Sequence, residues 1–336
     1  MWALPPHTEF ELSSHNTYKH PARASTLVEM MQLRIKNSFI PWSFPEIVAK
    51  EEGFFADEGI DVTFYALDPK DVEPGNKVKW YGGLVDEGKV DAYNCCAWAA
   101  LDRLSDGGKN RIVGATSSMN YAFSIFVPPD SEIRQVTDLA DKEILVNLRT
   151  GSHYCNLRQL EEHVPYERIR LVHGGAPHNR LLALMEGRCS AASLISPYTE
   201  VAEELGYRNV FQTDMVDVLA YIARSNLSEK EISVFLRAVG RAITAIKEKP
   251  LKYKPLYLKI LMETFGGYPK QLNRMATEAT RRIEDSIQVV QWGEMKPYSK
   301  ETFSTIQGWM TSHSLLERPI TYEQLVNNRP LERLTS

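Results

Sequence analysis

Short apolar runs alternate along the chain with longer stretches whose apolar positions recur every three to four residues. "LRIKNSF" (33–39) reads as a strand, "PEIVAKEEGFFADEG" (45–59) as one helix stopped at Gly59, and "IDVTFYAL" (60–67) as a strand again. That is a βαβ unit. In the next unit "VKWYGGLVDEGKV" (78–90) is a helix or turn, "DAYN" (91–94) a short strand, "CAWAALDRLSDGG" (96–108) a helix and "RIVGATSS" (111–118) a strand. The middle of the chain repeats the logic. "YAFSIFVPP", "KEILVNL", "IRLVHG" and "CSAASLI" read as strands, while "GSHYCNLRQLEEHV" and "PHNRLLALMEGR" read as helices. After "NVFQTDMVDVLAYIARS" the pattern turns helical, and "SEKEISVFLRAVGRAITAIKEK" carries apolar residues at helical spacing behind a Ser228 cap, with Glu231 three residues on. Strands alternating with helices predict largely parallel sheets covered by helices.

The chain has 336 residues, enough to bury a sizeable core and to favour two lobes over one. Its formal charge of −4 provides no global basic footprint, and the local basic clusters are diluted: Arg281 and Arg282 are followed by Glu284 and Asp285, and the run Lys247 to Lys259 contains Pro250 and Pro255. No nucleic-acid partner is expected. No window reaches the roughly 18 apolar residues of a membrane span, and the first 30 residues have early prolines and charges but no apolar h-region. The expectation is a cytoplasmic protein with reduced thiols. Its four cysteines, Cys95, Cys96, Cys155 and Cys189, fit no metal-binding spacing, and the histidines form no metal constellation. Neither a phosphate loop nor a GxGxxG turn is present.

Three stretches, "VAKEEGFFADEGIDVTFY", "GLVDEGKVDAYNCCAWAAL" and "VTDLADKEILVNLRTGSHY", resemble successive landmarks of type II periplasmic binding proteins, in the branch that takes nitrate, sulfonates and thiamine-pyrimidine precursors. "LLALMEGRCSAASLISPY" and "FLRAVGRAITAIKEKP" are similar to later parts of the same branch, in the same order. The resemblance implies a two-lobed α/β fold with a ligand cleft between the lobes. Residues 33–120 plus 214–336 would form lobe 1, residues 121–213 lobe 2, and residues 1–32 an N-terminal extension that could wrap a partner subunit in a homodimer.

The branch contains enzymes as well as carriers. In its thiamine-pyrimidine synthases a lysine holding pyridoxal phosphate and a histidine follow the "GKVD" strand; the matching positions here are Cys95 and Ala99. No cofactor is therefore expected. In its sulfinate desulfinase the first loop carries a nucleophilic cysteine and an Arg-Phe-Gly-Gly motif follows. This chain has Ile40 at the first position and Trp80-Tyr81-Gly82-Gly83 at the second, so the paired glycines match while the nucleophile and the arginine do not.

Loops at the C-terminal ends of parallel strands would meet at the cleft. Cys95 and Cys96 stand at a helix N-terminus, where free amides favour an anion and a thiolate; either is a candidate nucleophile, the alternative being that one packs as a small apolar residue. Thr150, Gly151 and Ser152 open a helix able to cradle a carboxylate, sulfonate or phosphate, and Arg149 adds charge. His153 at the same mouth would serve as a general base or a donor to the ligand. Trp42, Phe44, Trp98, Tyr121 and Tyr198 provide aromatic surface, and Gly82, Gly83, Asn120 and Ser196 complete the expected lining. The reading is an intracellular lyase or hydrolase with a Cys/His site (Cys95, Cys96, His153) that cleaves a small aromatic or heteroaromatic anion. The alternative is a non-catalytic binding protein or sensor for a small organic anion.

Overall fold

The computed structural model describes residues 30–36, 40–65, 83–105, 110–118, 122–214, 218–316 and 318–335. In chain order the first part runs β1 (Met31–Lys36), α1 (Phe44–Glu51), α2 (Phe54–Asp57), β2 (Ile60–Phe64), β3 (Ala92–Cys96), α3 (Ala97–Ser105) and β4 (Arg111–Ser117). The middle runs β5 (Ser124–Val127), β6 (Glu143–Val146), α4 (Gly151–Leu160), β7 (Arg170–His173), α5 (Pro177–Met185), β8 (Ala191–Leu194), α6 (Tyr198–Glu204) and β9 (Arg208–Gln212). The chain then returns through β10 (Val218–Ala223) to α7 (Glu229–Glu248), α8 (Pro250–Thr264), α9 (Lys270–Arg282), α10 (Lys300–Ser312), α11 (Tyr322–Leu325) and α12 (Arg329–Thr335).

Two five-stranded sheets result, ordered β2-β1-β3-β10-β4 and β7-β6-β8-β5-β9. Both have the same plan. Three strands pair in parallel, and one strand fed from the other half of the chain, β10 or β5, enters antiparallel and carries a further strand on its far side. Every parallel strand in a sheet points its C-terminal end the same way, so the loops leaving those ends gather on one edge of each lobe. The fold is the mixed α/β two-lobed one expected from the sequence.

Local chemistry accounts for the element boundaries. The single helix expected over 45–59 is broken in two, because Gly53 takes φ +75°, a left-handed conformation that suits glycine and ends α1 before α2 begins. The strand expected over 91–94 runs on through both cysteines. Ser228 caps α7: its hydroxyl accepts from Glu231 N–H while the Glu231 carboxylate accepts from Ser228 N–H at 2.7 Å. The apolar stripe of α7 packs on α1 and α2, with Phe235 stacked on Phe55 at 5.9 Å. No described helix is long and apolar enough to cross a membrane.

Candidate functional site

The lobes meet where β3 turns into α3 and β6 into α4. Cys96 caps α3, its Sγ accepting from Ala99 N–H at 3.4 Å. A β-carbon placed on Gly151, the first residue of α4, would lie 3.1 Å from that same sulfur and 3.1 Å from the Phe123 ring. Only a hydrogen fits there without displacement. The Cys96 sulfur thus stands between two helix N-termini, one from each lobe, where partial positive charge and free amides favour an anion. Cys95 points elsewhere. It is buried in lobe 1 near Tyr93, whose phenol is pushed up first by burial and next by the charge of Cys95; Tyr298, pushed up by burial, lies near both cysteines. Both cysteines are buried, and the strand sends them to opposite faces of the sheet, Cys96 to the interlobe seam.

Other expected residues are committed to the protein itself. Arg149, at φ +60°, turns its guanidinium onto Asp102 of α3, with Nε 3.2 and 3.0 Å from the two carboxylate oxygens. Tyr154 O–H donates to the same carboxylate at 2.6 Å. The expected charge of Arg149 is neutralised by Asp102, so this pair ties the lobes together instead of facing a ligand. Thr150 Oγ1 donates to Asn147 C=O at 2.6 Å, and Ser152 Oγ accepts from Asn147 N–H at 2.9 Å, so both hydroxyls brace the turn into α4. His153 Nδ1 accepts from Arg149 N–H at 3.2 Å, and burial pulls its pKa down to about 4. Its lone pair is occupied, which leaves a neutral ring with an Nε2 donor and argues against the general-base role.

The aromatic positions divide similarly. Trp98 packs in the seam, stacked on Tyr154 at 6.0 Å and edge-on to Trp309 of α10 at 5.4 Å. Phe44 meets Tyr257 edge-on at 4.9 Å, and the Tyr198 hydroxyl donates to Thr264 at 3.5 Å; both are core residues. Trp42 is buried, and its carbonyl accepts from Asn94 Nδ2 at 3.0 Å. Ser196 donates to Glu200 at 2.6 Å. Gly83 opens a helical turn at 83–86 with space above it. Gly82, Asn120 and Tyr121 lie outside the described residues.

Several charged residues that the sequence reading passed over are almost fully enclosed, Glu46 and Arg180 among them. Glu46 is 3% exposed; its Oε1 accepts from Asn94 Nδ2, its Oε2 has no partner, and burial raises its carboxyl to about 7 despite the hydrogen bonds to it. Arg180 is 1% exposed, and its guanidinium donates to the carbonyls of Ser193 and Gly175. A signal for it existed. Positions 177, 180, 181 and 184 fall on one face of a helix, and that face is the buried one.

A family model described as NMT1/THI5 like matches residues 41–252. The chain belongs to this family. No curated protein sequence matches it. Among solved structures it is similar to the alkanesulfonate-binding protein SsuA of Xanthomonas axonopodis pv. citri bound to MOPS, with TM-score 0.68 at 16% identity over 89% of this chain and 99% of that one. The desulfurization enzyme DszB gives TM-score 0.62 at 16% identity over 90% and 98% of the two chains. The Candida albicans CA3427 gene product, described as having the generic periplasmic binding protein fold, gives 0.60 at 13% over 91% and 95%. At these identities the likeness establishes the two-lobed binding-protein fold, which serves both carriers and enzymes.

Proposed function

We propose that this NMT1/THI5-like protein is an enzyme that takes a small organic anion, aromatic or heteroaromatic, between its lobes and cleaves it with the Cys96 thiol. The observation that carries this reading is the position of the Cys96 sulfur between the N-termini of α3 and α4. Two helix ends favour the thiolate and also favour the anionic group of a ligand beside it. The likeness to DszB, a cysteine-to-serine variant of which was crystallised with biphenyl-2-sulfinic acid, adds an enzymatic precedent on this scaffold.

A second reading, a binding protein that closes on the anion and releases it intact, is favoured by His153. Its Nδ1 already accepts from Arg149 N–H and burial keeps the ring neutral, which does not favour a general base at this mouth. Incubation with biphenyl-2-sulfinic acid and with MOPS separates the two. The enzyme reading expects turnover of an aryl anion that Cys96→Ala abolishes and Cys95→Ala retains. Tight binding with every ligand recovered intact overturns it in favour of the carrier.

A further inference from the structure

One carboxylate holds two donors from across the seam. Glu161, at the C-terminal end of α4 in the unit built on the second sheet, accepts from Trp309 Nε1 at 2.8 Å through Oε1, and its Oε2 lies 2.8 Å from His313 Nε2. Trp309 belongs to α10, His313 is the residue that ends it, and α10 packs on α3 beside the first sheet. The two charged partners are mostly enclosed, with side chains 21% and 23% exposed.

The His313 ring stacks on Trp309, with centroids 4.3 Å apart and 30° between the planes, and Tyr166 from the turn at 166–168 faces it at 5.3 Å. Its other nitrogen, Nδ1, lies 2.8 Å from Trp309 C=O and 3.0 Å from Ser312 Oγ, a hydroxyl that donates to the same carbonyl at 2.8 Å. A carbonyl and a carboxylate only accept, so both contacts are hydrogen bonds only when both ring nitrogens carry protons. An imidazolium also suits the C-terminal end of a helix and the face of an indole. Among the described residues Glu161 is the one charged group bonded to His313; Arg158 of α4 lies over Trp98 instead, 5.9 Å from its ring centre.

We propose that Glu161, Trp309 and His313 form a pH-sensitive latch between the lobes, shut while the His313 ring holds two protons and released when one of them leaves to solvent. Whichever nitrogen gives up its proton, a lone pair is left facing an acceptor and the charge attraction to Glu161 is lost. The shut state binds the extra proton, so closure is favoured in acid and fades as the solution turns alkaline. The Arg149–Asp102 tie lacks this sensitivity on its cationic side, because a guanidinium keeps its proton where an imidazole does not. The latch acts on the opening of the seam and is independent of whether a bound ligand is cleaved.

Spin labels on Glu132→Cys, ahead of β6, and Lys247→Cys, on α7, two exposed positions on opposite lobes, report the interlobe distance of the full-length protein by double electron–electron resonance. Protein without the two substitutions is the labelling control. The distance should be short and narrow at about pH 5.5 and gain a longer component at about pH 8.5, with the open-to-shut ratio rising about tenfold or more. His313→Gln, which has no titrating ring, should give the same distances at both pH values. A wild-type distance that does not lengthen between the two conditions, or a change that His313→Gln keeps, overturns the proposal. Should His313→Gln fail to fold, Glu161→Gln decides. It removes the charge that attracts the imidazolium, so a pH-dependent distance retained in that variant counts against the latch and its loss supports it.

Discussion

Replacing Glu46 with Gln should stabilise the protein at alkaline pH and make no difference in acid. The carboxyl is buried, and enclosure moves it from 4.5 to about 7. Below about pH 4.5 folded and unfolded chains both hold the proton and the group is neutral in its effect. Between 4.5 and about 7 the unfolded chain releases the proton while the folded chain keeps it, so stability falls as pH rises; above about 7 the loss is complete. A difference of about 2.5 pKa units at about 1.4 kcal/mol each gives a cost of about 3 kcal/mol. The glutamine amide mimics the protonated acid: its carbonyl can accept from Asn94 Nδ2, and its NH2 faces the neighbouring Tyr221 hydroxyl oxygen, which is buried with no hydrogen bond. Urea unfolding followed by tryptophan fluorescence across the pH range, on both proteins, isolates the effect because all other titrating groups are shared. The stability gap should open from near zero at about pH 4.5 to about 3 kcal/mol at about pH 8. A gap that does not change with pH, or a variant weaker than wild type at alkaline pH, refutes the reasoning.

Further outcomes follow from the seam. Gly151→Ala should destabilise the protein by about 1–3 kcal/mol, because the added methyl lies 3.1 Å from both Cys96 Sγ and the Phe123 ring; an unchanged melting temperature would show that the lobes are not packed there. Asp102→Asn leaves Arg149 and Tyr154 without their carboxylate and should cost about 3 kcal/mol, with faster amide exchange in α3 and α4 as its signature. His153 should stay neutral, protonated on Nε2, from about pH 8 down to about pH 5, as read by nitrogen chemical shifts of the labelled ring; an imidazolium signal near neutrality contradicts the burial argument. Ser228→Ala removes the hydroxyl that accepts from Glu231 N–H, leaves the backbone N–H that donates to the Glu231 carboxylate, and should cost about 1 kcal/mol in chemical denaturation.

What could be read from the sequence was what local periodicity and turn chemistry determine. The α7 stripe, its Ser228 cap and the βαβ alternation lie within a few residues of their causes, and the structure keeps them. The split at Gly53 was less visible, since the apolar pattern of 45–59 continues in phase across the left-handed residue. Charge placement is where local reading failed. Arg149 precedes a helix start and looked ligand-facing, yet its partner Asp102 lies 47 residues away and its direction is set by a backbone turn at φ +60°. Arg180 was passed over in the sequence, and its burial follows from the face it shares with Pro177, Leu181 and Leu184. The two cysteines were indistinguishable in sequence because strand alternation, which sends neighbours to opposite faces, acts only once the strand extends through both.

The central claim, that the ligand anion meets Cys96 at the junction of two helix N-termini, is tested most directly by alkylation with iodoacetamide and peptide mass mapping, with and without benzenesulfonate. Cys96 should be modified ahead of Cys95 and Cys155, and the anion should protect it. Modification that spares Cys96, or that proceeds at Cys96 equally with and without the anion, contradicts the account.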